Sequence, residues 1–270
     1  MRKLLATIGV GLWMGSALAA PSARKVPVQK TDLHKLVHTS VSAAPHLWAQ
    51  VASPTAGTIK TALVDLGAMV KKGQVLATID PAHGGKTATL TAPFDGVVIA
   101  RNALPGVFTQ DGNGLFTLID ASVIKLELEV SEMDSPLVMP GQPVTAHFDA
   151  LPGASYQAKL MLVVPTIDGH TRTMHADAEV QNVDHRVIPG MAGQAQIEVA
   201  GKTGVPAIPL AALNRQDGEL FVYRLDGDKA RRTKVTLGVD DGEMVEVTAG
   251  LGDKDVVLVG AVKDGETIAK

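Results

Sequence analysis

The segment Pro54-Thr55-Ala56-Gly57-Thr58-Ile59, followed by Gly67-Ala68-Met69-Val70-Lys71-Lys72-Gly73-Gln74-Val75-Leu76, has a second copy downstream. Pro54, Gly57, Gly67 and Gly73 recur 39 residues later as Pro93, Gly96, Gly106 and Gly112. Each copy closes on an Ile-Asp dipeptide, Ile79-Asp80 and Ile119-Asp120, which reads as one extra residue in the second copy. Glycine supplies positive φ at tight turns without a Cβ clash, and the apolar residues between the glycines read as short strands. Gly57, Gly67, Gly73, Gly96 and Gly106 are therefore expected to hold turns. Neither half can bury its own apolar face, so the two are expected to pair about a pseudo-two-fold axis into one small sandwich.

The sequence outside the repeat is also β-patterned. Ile124, Leu126, Leu128 and Val130 alternate with Lys125, Glu127 and Glu129, the period-2 signature of a half-buried strand. Leu220-Phe221-Val222-Tyr223, a turn at Asp226-Gly227 and Arg231-Arg232-Thr233-Lys234-Val235 read as a hairpin. Val245-Glu246-Val247 and Val256-Val257-Leu258-Val259 read as further strands. The best helix signal is the capping-box spacing Ser131-Glu132-Met133-Asp134, which predicts one short helix stopped by Pro140-Gly141. The fold class is all-β and multi-module.

Composition narrows the function. The 270 residues hold no cysteine, 25 basic and 28 acidic residues, and nine aromatics. No basic surplus exists for counterion release on nucleic acid, and few rings are available for base stacking. The lack of cysteine excludes a disulfide scaffold, a thiolate zinc site and a cysteine nucleophile. Arg2 and Lys3 precede an apolar run from Leu4 to Leu18, and Ala17-Leu18-Ala19 has the small-x-small form of a signal-peptidase site. Residues 1–19 are read as a signal peptide. Its removal leaves 23 basic against 28 acidic residues, a balance of −5.

Over Pro54 to Ile59 and Gly67 to Leu76 the chain resembles the first half of a lipoyl/biotinyl-like domain, and Ala92-Pro93-Phe94-Asp95-Gly96-Val97-Val98 resembles the opening of its second half. Pro140-Gly141-Gln142-Pro143-Val144, Thr171-Arg172-Thr173 and Asn182 through Pro189-Gly190-Met191 resemble the β-barrel section of periplasmic adaptor proteins. These are the membrane fusion proteins of tripartite efflux pumps. The run Val205-Pro206-Ala207-Ile208-Pro209-Leu210-Ala211-Ala212-Leu213 and the turn Ala249-Gly250-Leu251-Gly252-Asp253 resemble the closing membrane-proximal domain of that family. Single motifs are weak; their colinear order over residues 45 to 265 is strong.

The resemblance implies a barrel-sandwich hybrid, a β-barrel and a membrane-proximal β domain. It divides the chain into an arm at 20–47, a lipoyl-like domain at 48–120, a barrel at 121–200 and a membrane-proximal domain at 201–270. Gly190 is a further expected structural turn. The arm would pair the first strands with the last. The implied role is a periplasmic adaptor, peripheral to the inner membrane, with no cofactor and no enzymatic chemistry. Its implied partners are an inner-membrane exporter of the resistance–nodulation–division class, an outer-membrane duct or second adaptor, and further copies of itself. One departure stands out. Most family members carry a long helical hairpin between the lipoyl halves, whereas residues 81–86 here, Pro81-Ala82-His83-Gly84-Gly85-Lys86, are too few for two helices. His83, Gly84, Gly85 and Lys86 are the expected partner-facing loop.

Rival readings remain. Lys86 sits where lipoyl and biotinyl carriers present a modified lysine, but Gly85 and Thr87 replace the usual acidic or methionine neighbours. His170 and His175, near Asp168 and Met174, and the pair His34 and His38 are candidate metal ligands. Positions 170 and 175 differ by an odd number, which on a regular strand sends them to opposite faces. No hydrolase elbow, P-loop, zinc-protease helix or dinucleotide fingerprint is present. The alternative to the adaptor is a free-standing periplasmic β-rich binding or metal-handling module.

Overall fold

Alternation along single strands builds the largest core. In Gly114–Ser131, Ile124, Leu126, Leu128 and Val130 are fully buried, while Lys125, Glu127 and Glu129 occupy the opposite face. The computed structural model describes residues 23–268, so the expected signal peptide at 1–19 lies outside the described residues. Nineteen strands and two single-turn 3-10 helices form among the described residues, with no α-helix. Contacts group them into two units, one of Leu36–Ala200 and one of the described residues up to Lys35 together with those from Gly201.

The Leu36–Ala200 unit has two separate cores. The first belongs to the duplicated segment, where Ile59, Leu76, Ile79, Val98, Phe116 and Leu118 pack together. A sheet ordered Ala88–Thr91, Val75–Pro81, Gly57–Ala62 and Phe108–Thr109 covers one side. Met69–Val70, Gly96–Arg101 and the start of Gly114–Ser131 cover the other.

The halves interlock by exchanging hydrogen bonds, and each bond has a counterpart 39 residues on. Gly67 N donates to Val98 O at 2.8 Å, and Gly106 N to Ile59 O at 2.8 Å. Gly73 N donates to Ala92 O at 2.8 Å, and Gly112 N to Ser53 O at 2.9 Å. Leu63 N reaches Leu76 O as Asn102 N reaches Leu115 O, both at 2.8 Å. These bonds relate the halves by a pseudo-two-fold.

Two expectations are corrected here. The offset stays at 39 to the end of the repeat, because Ile59 pairs with Ile79 as Val98 pairs with Leu118. The structural counterpart of Ile79 is therefore Leu118, and no extra residue exists; the second Ile-Asp dipeptide is a coincidence one position on. Gly67, Gly73, Gly106 and Gly112 have φ of 79–83°, but Gly57 and Gly96 do not have positive φ. They are glycines because strands pass too close: a Cβ on Gly57 would overlap Asp80 O, and one on Gly96 would overlap Ile119 O.

The second core fills a closed barrel. Its strand order is Ala192–Pro209, Pro143–Phe148, Tyr156–Ile167, Thr173–Gln181, Gly114–Ser131 and Gln29–Ala52, and the last pairs back with the first. Ala43 N donates to Met191 O and Gly190 N to Ala43 O, both at 2.8 Å, with Gly190 at φ 97°. Closure leaves no free sheet edge within the ring. The Thr171-Arg172-Thr173 motif forms the hairpin between Tyr156–Ile167 and Thr173–Gln181. Asn182 is buried and ties its loop down through Ala121 O, Val187 O and Val187 N.

The expected helix near Ser131 does not form. Ser131 stays in the strand, Asp134 makes no side-chain cap, and only Ser135–Leu137 winds into one 3-10 turn.

In the other unit, Arg24–Pro27 runs antiparallel to Val256–Val259, with Val26 opposite Val257. Glu219–Asp226 and Lys229–Lys234 form the hairpin about Gly227. Glu246 breaks the alternation of Met244–Ala249, being buried between buried Val245 and Val247. Both its carboxylate oxygens accept from Lys202 Nζ at 2.9 Å, and one accepts from Val239 N at 3.0 Å. Those bonds, the lysine first, hold its carboxyl below the usual glutamate range.

Candidate functional site

The loop end of the duplicated module is short and braced. Val75–Pro81 and Ala88–Thr91 form a hairpin with Ile79 opposite Ala88. Gly84 and Gly85 both take positive φ, at 75° and 124°, so the loop turns within a few residues. Ala82 N donates to Ala56 O at 2.9 Å, and Thr87 Oγ1 donates to Asp80 Oδ1 at 2.7 Å. The threonine bond and neighbouring Lys60 hold the Asp80 carboxyl below its ordinary value. His83, Gly84, Gly85 and Lys86 are all exposed.

At the pseudo-symmetric end the module meets the barrel. Asp95 stands there where the other end has Ala56. Lys72 N donates to Asp95 Oδ1 at 2.7 Å and Lys71 Nζ to Oδ2 at 3.0 Å. Both bonds, the backbone one first, lower the aspartate's pKa. A groove of about 410 Å³ opens beside this clamp, lined by Met69, Val70, Lys71, Asp95, Ala121 and His185.

The proposed metal ligands separate. Asp168 makes the hairpin turn, accepting from His170 N at 2.7 Å and Thr171 N at 3.1 Å; those bonds lower its pKa. The His170 side chain is fully exposed, and Met174 is buried in the barrel core. His34 and His38 lie on the exposed face of Gln29–Ala52. His175 instead joins residues that the sequence did not single out as ligands. Its Nδ1 is 3.2 Å from Glu129 Oε1 and its Nε2 is 2.9 Å from Asp177 Oδ1. Among the described residues, Glu127, His175 and Asp177 form a cluster of ligand atoms all within 4.8 Å of one another. The signal was cross-strand register, which places Glu127 opposite Asp177 and Glu129 opposite His175; the alternation of 125–129 fixes a face but not what it meets.

Comparison with known proteins agrees with this architecture. Residues 124–201 match the family described as CusB-like, beta-barrel domain, and residues 205–270 match the YknX C-terminal permuted SH3-like domain. Macrolide export protein MacA of Escherichia coli O157:H7 is 30% identical over 210 residues, covering 74% of this chain and 56% of the relative. Nodulation protein NolF of Rhizobium meliloti is 24% identical over 204 residues, covering 75% and 55%. The crystal structure of MacA from Actinobacillus actinomycetemcomitans shares the fold with a TM-score of 0.73 at 19% identity, covering 87% of this chain and 98% of that one. The class defined is an all-β chain of lipoyl-like, barrel and permuted SH3-like modules. In these modules and in its fold the chain is similar to the membrane fusion proteins. It spans about half the length of the curated relatives it matches.

Proposed function

We propose that the chain is a periplasmic adaptor subunit of a multicomponent efflux transporter, peripheral to the inner membrane, coupling an exporter there to the exit path across the envelope. The observation that carries this reading is the order of modules: a duplicated lipoyl-like sandwich threaded into a closed barrel, then a permuted SH3-like domain. The Thr171-Arg172-Thr173 hairpin and the Gly190 turn favour an exporter of the resistance–nodulation–division class. Copies of the chain pack around that exporter. The braced loop at 81–86 stands where relatives insert a helical hairpin, so the duct, or a second adaptor supplying the missing reach, meets a short polar tip. No step of this role calls for a catalytic residue or a cofactor; substrate choice belongs to the exporter.

The test is co-expression with a polytopic transporter encoded beside this gene, followed by size-exclusion chromatography in detergent. Co-elution of the two supports the adaptor. Separate elution from every such neighbour, each shown to be folded, turns the reading to the free-standing module.

A further inference from the structure

We propose that the outer face of the barrel carries a divalent transition-metal site formed by Glu127, His175 and Asp177, a reading independent of which exporter the chain serves. Three observations meet there. The first is distance: one ligand atom from each residue lies within 4.8 Å of the other two. The second is an unpartnered oxygen. Asp177 Oδ1 is buried and accepts no hydrogen bond, although His175 Nε2 stands 2.9 Å away, off the line of a hydrogen bond to it. With Nδ1–H donated to Glu129 Oε1 at 3.2 Å, Nε2 is left as a ligand atom beside that oxygen. An ion held by both atoms would give Asp177 Oδ1 the partner it lacks. The third is register: Glu127 and Asp177 are directly opposed on neighbouring strands, a like-charge pairing that costs stability unless a cation offsets it.

Glu129 acts as the outer partner that fixes the imidazole tautomer and orientation, as carboxylates do behind metal-bound histidines. Glu127 and His175 are both part-exposed, and a cleft of about 460 Å³ lined by Glu129, Asp168, Thr173 and His175 adjoins the histidine. One imidazole and two carboxylates, with no sulfur, suit zinc or a similar first-row divalent ion over calcium or magnesium, which want more oxygen ligands. Lys125 is the competitor. Its Nζ is 2.7 Å from Glu127 Oε1 and 3.9 Å from Asp177 Oδ2, and Glu127 foremost raises its pKa. It offsets part of the charge without reaching Asp177 Oδ1.

Isothermal titration of the tag-free full chain with zinc chloride tests this, beside thermal melting with and without zinc. Wild type is expected to bind one ion and to melt higher with it. His175→Gln and Asp177→Asn lose that binding, Glu129→Gln weakens it about 10–100-fold, and Lys125→Met strengthens it. His170→Gln binds as wild type. If Asp177→Asn fails to fold, His175→Gln and Glu129→Gln decide the matter. The proposal is overturned if wild type takes up no zinc, if His175→Gln binds like wild type, if binding is lost with His170, or if calcium binds as tightly as zinc.

Discussion

The two halves of the duplicated module share a backbone and differ at their ends. Residues 53–80 and 92–119 exchange the same hydrogen bonds at an offset of 39, with the same positive-φ glycines at the same places. Yet one half runs on into the 81–86 loop and the other into the barrel. The chemistry follows the ends. On the barrel side, Asp95 clamps Lys71 and Lys72; on the loop side its counterpart is Ala56, whose carbonyl accepts from Ala82. Duplication thus preserved what the backbone needs, while each end acquired side chains suited to what it meets.

The hardest blow to this equivalence falls at the strand crossings. Gly57→Val and Gly96→Val each force a side chain into a backbone oxygen, and each is expected to cost roughly 3 kcal/mol, at the upper end of overpacking. Urea unfolding measures this, and a variant as stable as wild type would break the match between halves. A smaller effect is expected at the turns. Gly67→Ala and Gly106→Ala meet no neighbours but hold an L-residue at left-handed φ, costing about 1 kcal/mol each. Equal losses sharpen the comparison; a large inequality would show that the halves bear different loads.

The difference between the ends is tested by pH. The folded-state pKa of Asp95 is lowered from 3.8, so its contribution is present above that value and fades as pH falls through the lower folded one. Asp95→Asn should show a smaller loss of urea midpoint between near-neutral and strongly acid pH than wild type. Ala56→Asp should gain no such acid-sensitive term, because Gln110 and Asp111 stand where Lys71 and Lys72 would be needed. Smallest of all is Lys86→Ala, expected to leave melting unchanged, with the wild-type intact mass that of an unmodified lysine. A mass increment lost in the variant would revive the carrier reading.

Much of this was legible in the sequence because glycine reports on the backbone directly. The constant offset marked the duplication, and Gly67, Gly73 and Gly106 have the predicted positive φ. Gly57 and Gly96 were found for the wrong reason, since close strand approach and positive φ select the same residue. Ile119-Asp120 misled because a two-residue likeness carries less than a burial pattern. The Ser131 capping box failed because a capping side chain needs a helix to cap, and Ser131 is still bonded into a strand. The Glu127, His175 and Asp177 cluster was hidden for a third reason. Its members sit on two strands, and only the register between them, set by the closure of the barrel, brings 127 opposite 177.

The most direct test of the adaptor account is a tagged pull-down of the full chain from cross-linked, detergent-solubilised envelopes, with partners identified by mass spectrometry. The account predicts recovery of an inner-membrane exporter, accompanied by a duct or a second adaptor that supplies the reach the 81–86 loop lacks. Recovery of this chain alone, with the cross-linker shown to capture a known pump in the same envelopes, would contradict it.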